Sequence, residues 1–171
     1  MSDVVLYDYW RSSASYRVRI ALNLAEIPYR TVSVNLLDKS HKSADHLARN
    51  PQGLVPVLDI DGQRLTQSLA ILEYLDETRS LGLLPKEPDP RARARALAQS
   101  IAVDVHPLCN LSVVAHATGG AEPARSDWMR HFIEPGLAAF ETLLAGFAQS
   151  PYCTGDQPGL ADLCLIPQLY N

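Results

Sequence analysis

Three serines, Ser12, Ser13 and Ser15, crowd one short turn between an apolar run and an arginine-bearing segment. The run before them, from Val4 to Tyr9, reads as a buried strand, and the run from Tyr16 to Leu24 reads as an amphipathic helix. At a strand-to-helix turn, free backbone N–H groups and the helix dipole already favour an anion. A serine hydroxyl placed there can donate a hydrogen bond to a thiolate or a carboxylate. The same residue type also serves as an ordinary helix cap, and Ser13 or Ser15 is expected to take that part. Arg17 follows on the helix. It either adds positive potential for an anionic substrate or forms an ion pair. Ser68 stands where another helix begins and reads as a cap. His106 and Cys109 are three residues apart but have no further ligands at matching spacing, so no metal site is expected.

The elements that must position these residues alternate in the first half of the chain. After the first strand and helix, Tyr29 to Val34 reads as a second strand, and Ala44 to Arg49 as a short helix stopped by Asn50-Pro51. Asp61-Gly62 between Val55–Ile60 and Gln63–Thr66 is a strong two-residue hairpin signal. A helix then begins at Ser68. The resulting order is β-α-β-α-β-β-α. The proline-rich stretch 84–90 is expected to be a linker, so that residues 1–83 form one domain and residues 91–171 a second, all-helical one. In the second, Ala92 to Ala117 is expected as a long helix bent near Pro107 and ended by Gly119-Gly120. Trp128 to Phe147 has apolar residues at helical spacing around Pro135, and Ala161 to Leu169 starts another helix.

With 171 residues, 47% of them hydrophobic, the chain can bury a real core. The net charge of -4 argues against a nucleic-acid partner. Arg91, Arg93 and Arg95 form one cluster, expected to be a solvated helix face. No apolar run approaches a membrane span, and the N-terminus has no basic, apolar leader pattern. The cysteines, Cys109, Cys153 and Cys164, are odd in number and widely spaced, which argues against a disulfide framework and for a reducing, cytoplasmic location.

Five segments carry a resemblance. Arg11-Ser12-Ser13-Ala14-Ser15-Tyr16-Arg17-Val18-Arg19-Ile20-Ala21-Leu22 resembles the active-site signature of zeta-class glutathione transferases, the family of maleylacetoacetate isomerase. So do Asn50-Pro51-Gln52-Gly53-Leu54-Val55-Pro56, Gln67-Ser68-Leu69-Ala70-Ile71, Asn110-Leu111-Ser112 and Ala161 to Gln168, all in the family's order. The resemblance implies an α/β plus all-α architecture: a thioredoxin-like glutathione domain followed by a helical domain, usually in a homodimer. It implies glutathione-dependent cis–trans isomerisation of an anionic maleyl keto acid, by thiolate addition, bond rotation and elimination. The family's neighbouring activities are maleylpyruvate isomerisation and glutathione transfer to small electrophiles such as α-haloacids. A glutathione-binding module without turnover is a reading of a different class.

By resemblance, Ser12 is the thiolate donor, with Ser13 and Ser15 as close alternatives. Val55 and Pro56 form the family's cis-proline turn, whose backbone pairs with the cysteinyl part of glutathione. Gln67 and Ser68 take its γ-glutamyl end, His41 lies near its glycine end, and Asn110 and Ser112 border the site from the helical domain.

The chain departs from the family pattern at four places. Ala14 replaces a cysteine that many relatives carry, which removes dithiol redox chemistry from the turn. Cys109 stands where relatives often have glutamine. Gly159 replaces a capping Thr or Ser, so the side-chain half of that cap is expected to be lost. The chain also ends at Asn171, where relatives continue with an arginine-bearing segment that holds the substrate carboxylate, so the helical domain is expected to be truncated.

Overall fold

Strand β1 (Val5–Asp8) is buried along most of its length, as expected for an apolar run flanked on both edges. In the computed structural model, which describes residues 3–148 and 151–170, it lies at the centre of a four-stranded sheet. Parallel to it runs β2 (Arg30–Ser33), with Leu6 opposite Thr31. On the other side, β3 (Val57–Ile60) pairs antiparallel, with Tyr7 opposite Val57. The last strand, β4 (Gln63–Thr66), pairs antiparallel with β3, giving the order β2-β1-β3-β4. Asp61 and Gly62, the turn between them, have φ values of 52° and 76°. Positive φ at both positions is what the tight hairpin turn demands, so the Asp-Gly reading holds.

Helices complete this first unit. Helix α1 (Ser13–Leu24) turns Val18, Ala21 and Leu22 inward, all fully buried. Helix α2 (Ala44–Arg49) follows a short 3-10 turn at Ser40–Lys42. Helix α3 (Ser68–Arg79) packs against α1 through a fully buried face of Ile71, Leu72 and Leu75. The order is the thioredoxin-like β-α-β-α-β-β-α. The chain divides into two compact units between Leu81 and Gly82.

Among the described residues, the regular elements of the second unit are helices. Helix α4 (Pro88–Gln99) begins inside the stretch read as a linker, because proline suits the first turn of a helix, where its missing N–H leaves no bond unmade. Leu83 and Leu84 are buried, and the Leu83 carbonyl accepts the Leu160 N–H at 2.8 Å. The long helix expected over 92–117 is broken. After α4 the backbone widens into a π turn over Ser100–Val105, then tightens into a 3-10 turn over His106–Cys109. Asn110 is extended (φ −62°, ψ 138°), and α5 (Leu111–Thr118) starts afresh. Pro107 cannot donate its helical bond and crowds the preceding turn, so the irregularity centres there. Gly119 ends α5 in the left-handed conformation, as read.

Pro135 does not interrupt α6 (Ala124–Leu144), which runs continuously through it. Gly136, just after it, lies so close to the π turn that the buried Val105 side chain leaves no room for an added Cβ. Close packing at that point offsets the local cost of the proline. Helix α7 (Leu160–Leu169) packs on α4, and Ala161 and Cys164 of the one and Leu97 and Ala98 of the other are buried. Arg91 and Arg93 are not merely a solvated face. Arg91 donates to the Pro85 carbonyl at 3.2 Å and Arg93 to the Gly146 carbonyl at 2.6 Å, bracing the chain on either side of α4. Among the described residues no single helix is long and apolar enough to cross a membrane, and no three His, Cys, Asp or Glu cluster as metal ligands.

Asp162 supplies what Gly159 lacks. Its carboxylate accepts the Gly159 N–H at 2.8 Å and the Cys153 N–H at 3.0 Å, tying the start of α7 to the loop before it. Asp162→Ala should lower the unfolding free energy by about 2 kcal/mol, and Asp162→Asn by about half that, as read by urea denaturation. Burial, with Asp162 as a second cause, pushes the Cys153 thiol up to about 12. All three cysteines are buried thiols. At pH 8 the folded chain should therefore react with a disulfide reagent at least roughly 100-fold more slowly than the urea-unfolded chain.

Candidate active site

The sheet register collects three loops at one end. Because β3 runs antiparallel to β1 from the Tyr7–Val57 pair, the chain leaving β1 toward Ser12 and the chain entering β3 through Val55-Pro56 share an edge. Because β4 pairs Thr66 with Val57, the chain leaving β4 into Gln67 and Ser68 reaches the same end.

The first loop is held from both sides. Arg19 on α1 grips the buried Asp8 carboxylate with bonds of 2.8 and 2.6 Å and donates to the Trp10 carbonyl at 3.1 Å. The Ser12 N–H closes the turn onto the Tyr9 carbonyl at 2.8 Å. Ser12 is the residue that caps α1, correcting the expectation for Ser13 or Ser15. It has extended backbone, and its Oγ accepts the Ser15 N–H at 3.2 Å. That bond uses a lone pair and leaves the hydroxyl hydrogen to donate outward. Ser12 is partly exposed, whereas Ser13 is 5% exposed and Ser15 has no exposed surface. Ser15 is therefore removed as a donor to a group arriving from solvent, because its hydroxyl is enclosed by the α1 packing. Trp10 is 73% exposed, and the Arg11 guanidinium stands 5.6 Å from its ring centroid.

Of the two parts read for Arg17, direct contact with a substrate is set aside by its burial. Arg17 is 2% exposed, and its Nη1 donates to the Ser68 Oγ at 3.1 Å. A side chain that deep does not meet a substrate directly; the cation open to solvent at this turn is Arg11.

The second loop carries a cis Val55–Pro56 bond. Among the described residues nothing takes up the N–H and C=O of Val55, which is half-buried. An extended peptide could lay its own backbone along them. The loop's shape comes from residues whose importance sequence reading missed. The Leu54 carbonyl accepts from His46 Nε2 at 3.0 Å and from Asn50 Nδ2 at 2.9 Å. A carbonyl only accepts, so His46 carries its hydrogen on Nε2. His46 is buried, 2% exposed. The Asn50-Pro51-Gln52-Gly53 run was the available signal, since Asn50 Oδ1 also accepts the Gln52 N–H at 3.1 Å.

The third loop ends in Gln67, at φ 66°, an unusual conformation for a residue with a side chain. Its Nε2 donates to Gln52 Oε1 at 2.9 Å, joining the second and third loops. The first N–H groups of α3 follow beside Ser68, and the free N–H groups of a helix N-terminus favour an anion. His41 sits in the 3-10 turn before α2; burial first, and then the Lys42 charge, hold it below the usual histidine value. At neutral pH it offers a neutral imidazole. In the second unit, Asn110 is the residue at which α5 starts, and Ser112 is exposed in its first turn.

The first unit thus presents a hydroxyl donor, an unpaired peptide edge and a helix N-terminus together. These three groups fit a thiol, a peptide backbone and a carboxylate, the functional groups of a γ-glutamyl tripeptide such as glutathione.

Residues 2–77 match the family model described as glutathione S-transferase, N-terminal domain. The chain is 63% identical over 174 residues to maleylacetoacetate isomerase of Rhizobium meliloti (strain 1021), covering 99% of this chain and 82% of the relative. A holo structure of maleyl pyruvate isomerase, described as a bacterial zeta-class glutathione S-transferase, superposes with a TM-score of 0.91 at 42% identity, covering 96% of this chain and 80% of that one. Maleylacetoacetate isomerase from Anaeromyxobacter dehalogenans 2CP-1, with glutathione bound in its active site, gives 0.85 at 42% identity, covering 99% and 80%. With the sheet order, the cis-proline loop and the capped serine turn in place, this similarity along nearly the whole chain means that it belongs to the maleylacetoacetate isomerase family, in the zeta class of glutathione transferases.

Proposed function

We propose that this protein is a glutathione-dependent cis–trans isomerase that converts maleylacetoacetate to fumarylacetoacetate in aromatic amino-acid breakdown. The observation that carries the reading is the convergence of Ser12, Val55-Pro56 and Gln67-Ser68 at one end of the sheet. Similarity to relatives named for this reaction supports the choice of substrate. A homodimer in the cytoplasm is the assembly and location we assign, in keeping with three reduced, buried cysteines.

Bound glutathione supplies a thiolate that adds to one alkene carbon, leaves a single bond free to rotate, and departs once the trans geometry is reached. The chain's own residues make that possible. Ser12 donates its free hydroxyl hydrogen to the thiolate, and Ser13 lies next to it at the start of α1. A free thiol has a pKa of roughly 8.5, and a lowering of about two units corresponds to roughly 2.7 kcal/mol. A hydroxyl donor beside a helix N-terminus can supply a shift of that size. The backbone of Val55 fixes the cysteinyl portion and thereby aims its sulfur. Ser68 and the first N–H groups of α3 hold the γ-glutamyl carboxylate, with Gln67 at the rim. His41 stands at the glycine end as a neutral hydrogen-bonding partner. Arg11, exposed beside Trp10, provides positive potential for an anionic keto acid.

Ser12 has both a capping and a chemical part, and two substitutions separate them. Ser12→Ala should lose about 1 kcal/mol of stability, whereas Ser12→Gly should lose only a few tenths. Both should lower kcat/KM for cis-maleylacetone about 100-fold, measured as glutathione-dependent loss of absorbance. In both, the acid limb of the rate profile should move up toward roughly 8.5, because the thiolate loses its donor. Glutathione binding by the unsubstituted chain with no turnover of any maleyl acid would instead select the binding-module reading.

A further inference from the structure

Arg17 is an unusual residue to find inside this unit. Its neighbours on the inner face of α1 are Val18, Ala21 and Leu22, all fully buried, and Arg17 itself is 2% exposed. Burying a guanidinium costs free energy that an apolar side chain of similar size would not. One of its bonds reaches the site: Nη1 donates to Ser68 Oγ at 3.1 Å across 51 residues of sequence. A guanidinium has donors only, so Ser68 Oγ must be the acceptor. The Ser68 hydroxyl hydrogen then has to point elsewhere, and the site it borders is the N-terminal end of α3.

We infer that Arg17 is a positioning residue for the carboxylate-binding site, polarising and orienting the Ser68 hydroxyl so that it donates to the α-carboxylate of a γ-glutamyl ligand. This rests on the glutathione reading and adds to it a source of selectivity for that carboxylate. The charge reaches the ligand through one intervening hydroxyl, from beneath the helix end, so it adds to the positive dipole of α3 without meeting solvent. A hydroxyl that accepts from a cation is a better donor to an anion, since successive hydrogen bonds strengthen one another. Arginine suits the task because the fork stays charged and holds a fixed direction.

The test is calorimetric titration of the full chain with glutathione and with an analogue whose γ-glutamyl α-carboxylate is a carboxamide. Arg17→Met should weaken glutathione about 10-fold or more, the usual effect of losing a charge-assisted bond, while changing the analogue less than about twofold. Arg17→Lys should recover part of the difference. On a Ser68→Ala background, Arg17→Lys should no longer alter the ratio of the two affinities, and this comparison holds even if Arg17→Met fails to fold. Equal weakening of both ligands would overturn the proposal and leave Arg17 a packing residue. Failure of the unsubstituted chain to bind either ligand would overturn the glutathione reading itself.

Discussion

The antiparallel pairing of β1 with β3 is the constraint on which the site depends. It sets the exit of one strand beside the entry of the next, and the following hairpin returns β4 to the same end. A shift of one residue in that register would turn the buried Leu6 and Leu58 toward the opposite face of the sheet, so the core enforces the alignment that the site requires. The loops therefore converge because apolar side chains must be buried, and not through any attraction between the functional groups themselves.

Two arginines of α1 then divide the remaining work. Arg19 looks back to Asp8 and the Trp10 carbonyl and holds the serine turn against the end of β1. Arg17, two residues earlier, looks across to α3 and holds Ser68. Residues two apart on a helix point in different directions. One helix can thus anchor two loops that are far apart in sequence. The proline loop is held separately, by His46 and Asn50 on a shared carbonyl, and is joined to the third loop through Gln52 and Gln67.

The helical unit shows how local breaks are tolerated when packing is favourable. Pro107 coincides with a change from π to 3-10 geometry, yet Ile101, Ala102 and Val105 stay buried through it. Pro135 leaves α6 continuous, with Gly136 set close against Val105. Asp162 replaces a missing cap hydroxyl by reaching back to the Gly159 N–H.

Read alone, the sequence determined the order of elements in the first unit. Strand alternation, the Asp61-Gly62 turn and the serine and proline motifs are local signals, and each acts within a few residues. It also picked out the three segments that meet at one end of the sheet. Burial and hydrogen-bond direction were decided only by the tertiary structure. Ser12, not Ser13 or Ser15, became the cap because the turn closes on Tyr9. Arg17 and His46 lie inside, where each meets a partner on another segment, Ser68 and Leu54. Those pairings depend on how α1, α3 and the loop before β3 meet in space, and no periodicity within a single segment encodes that meeting.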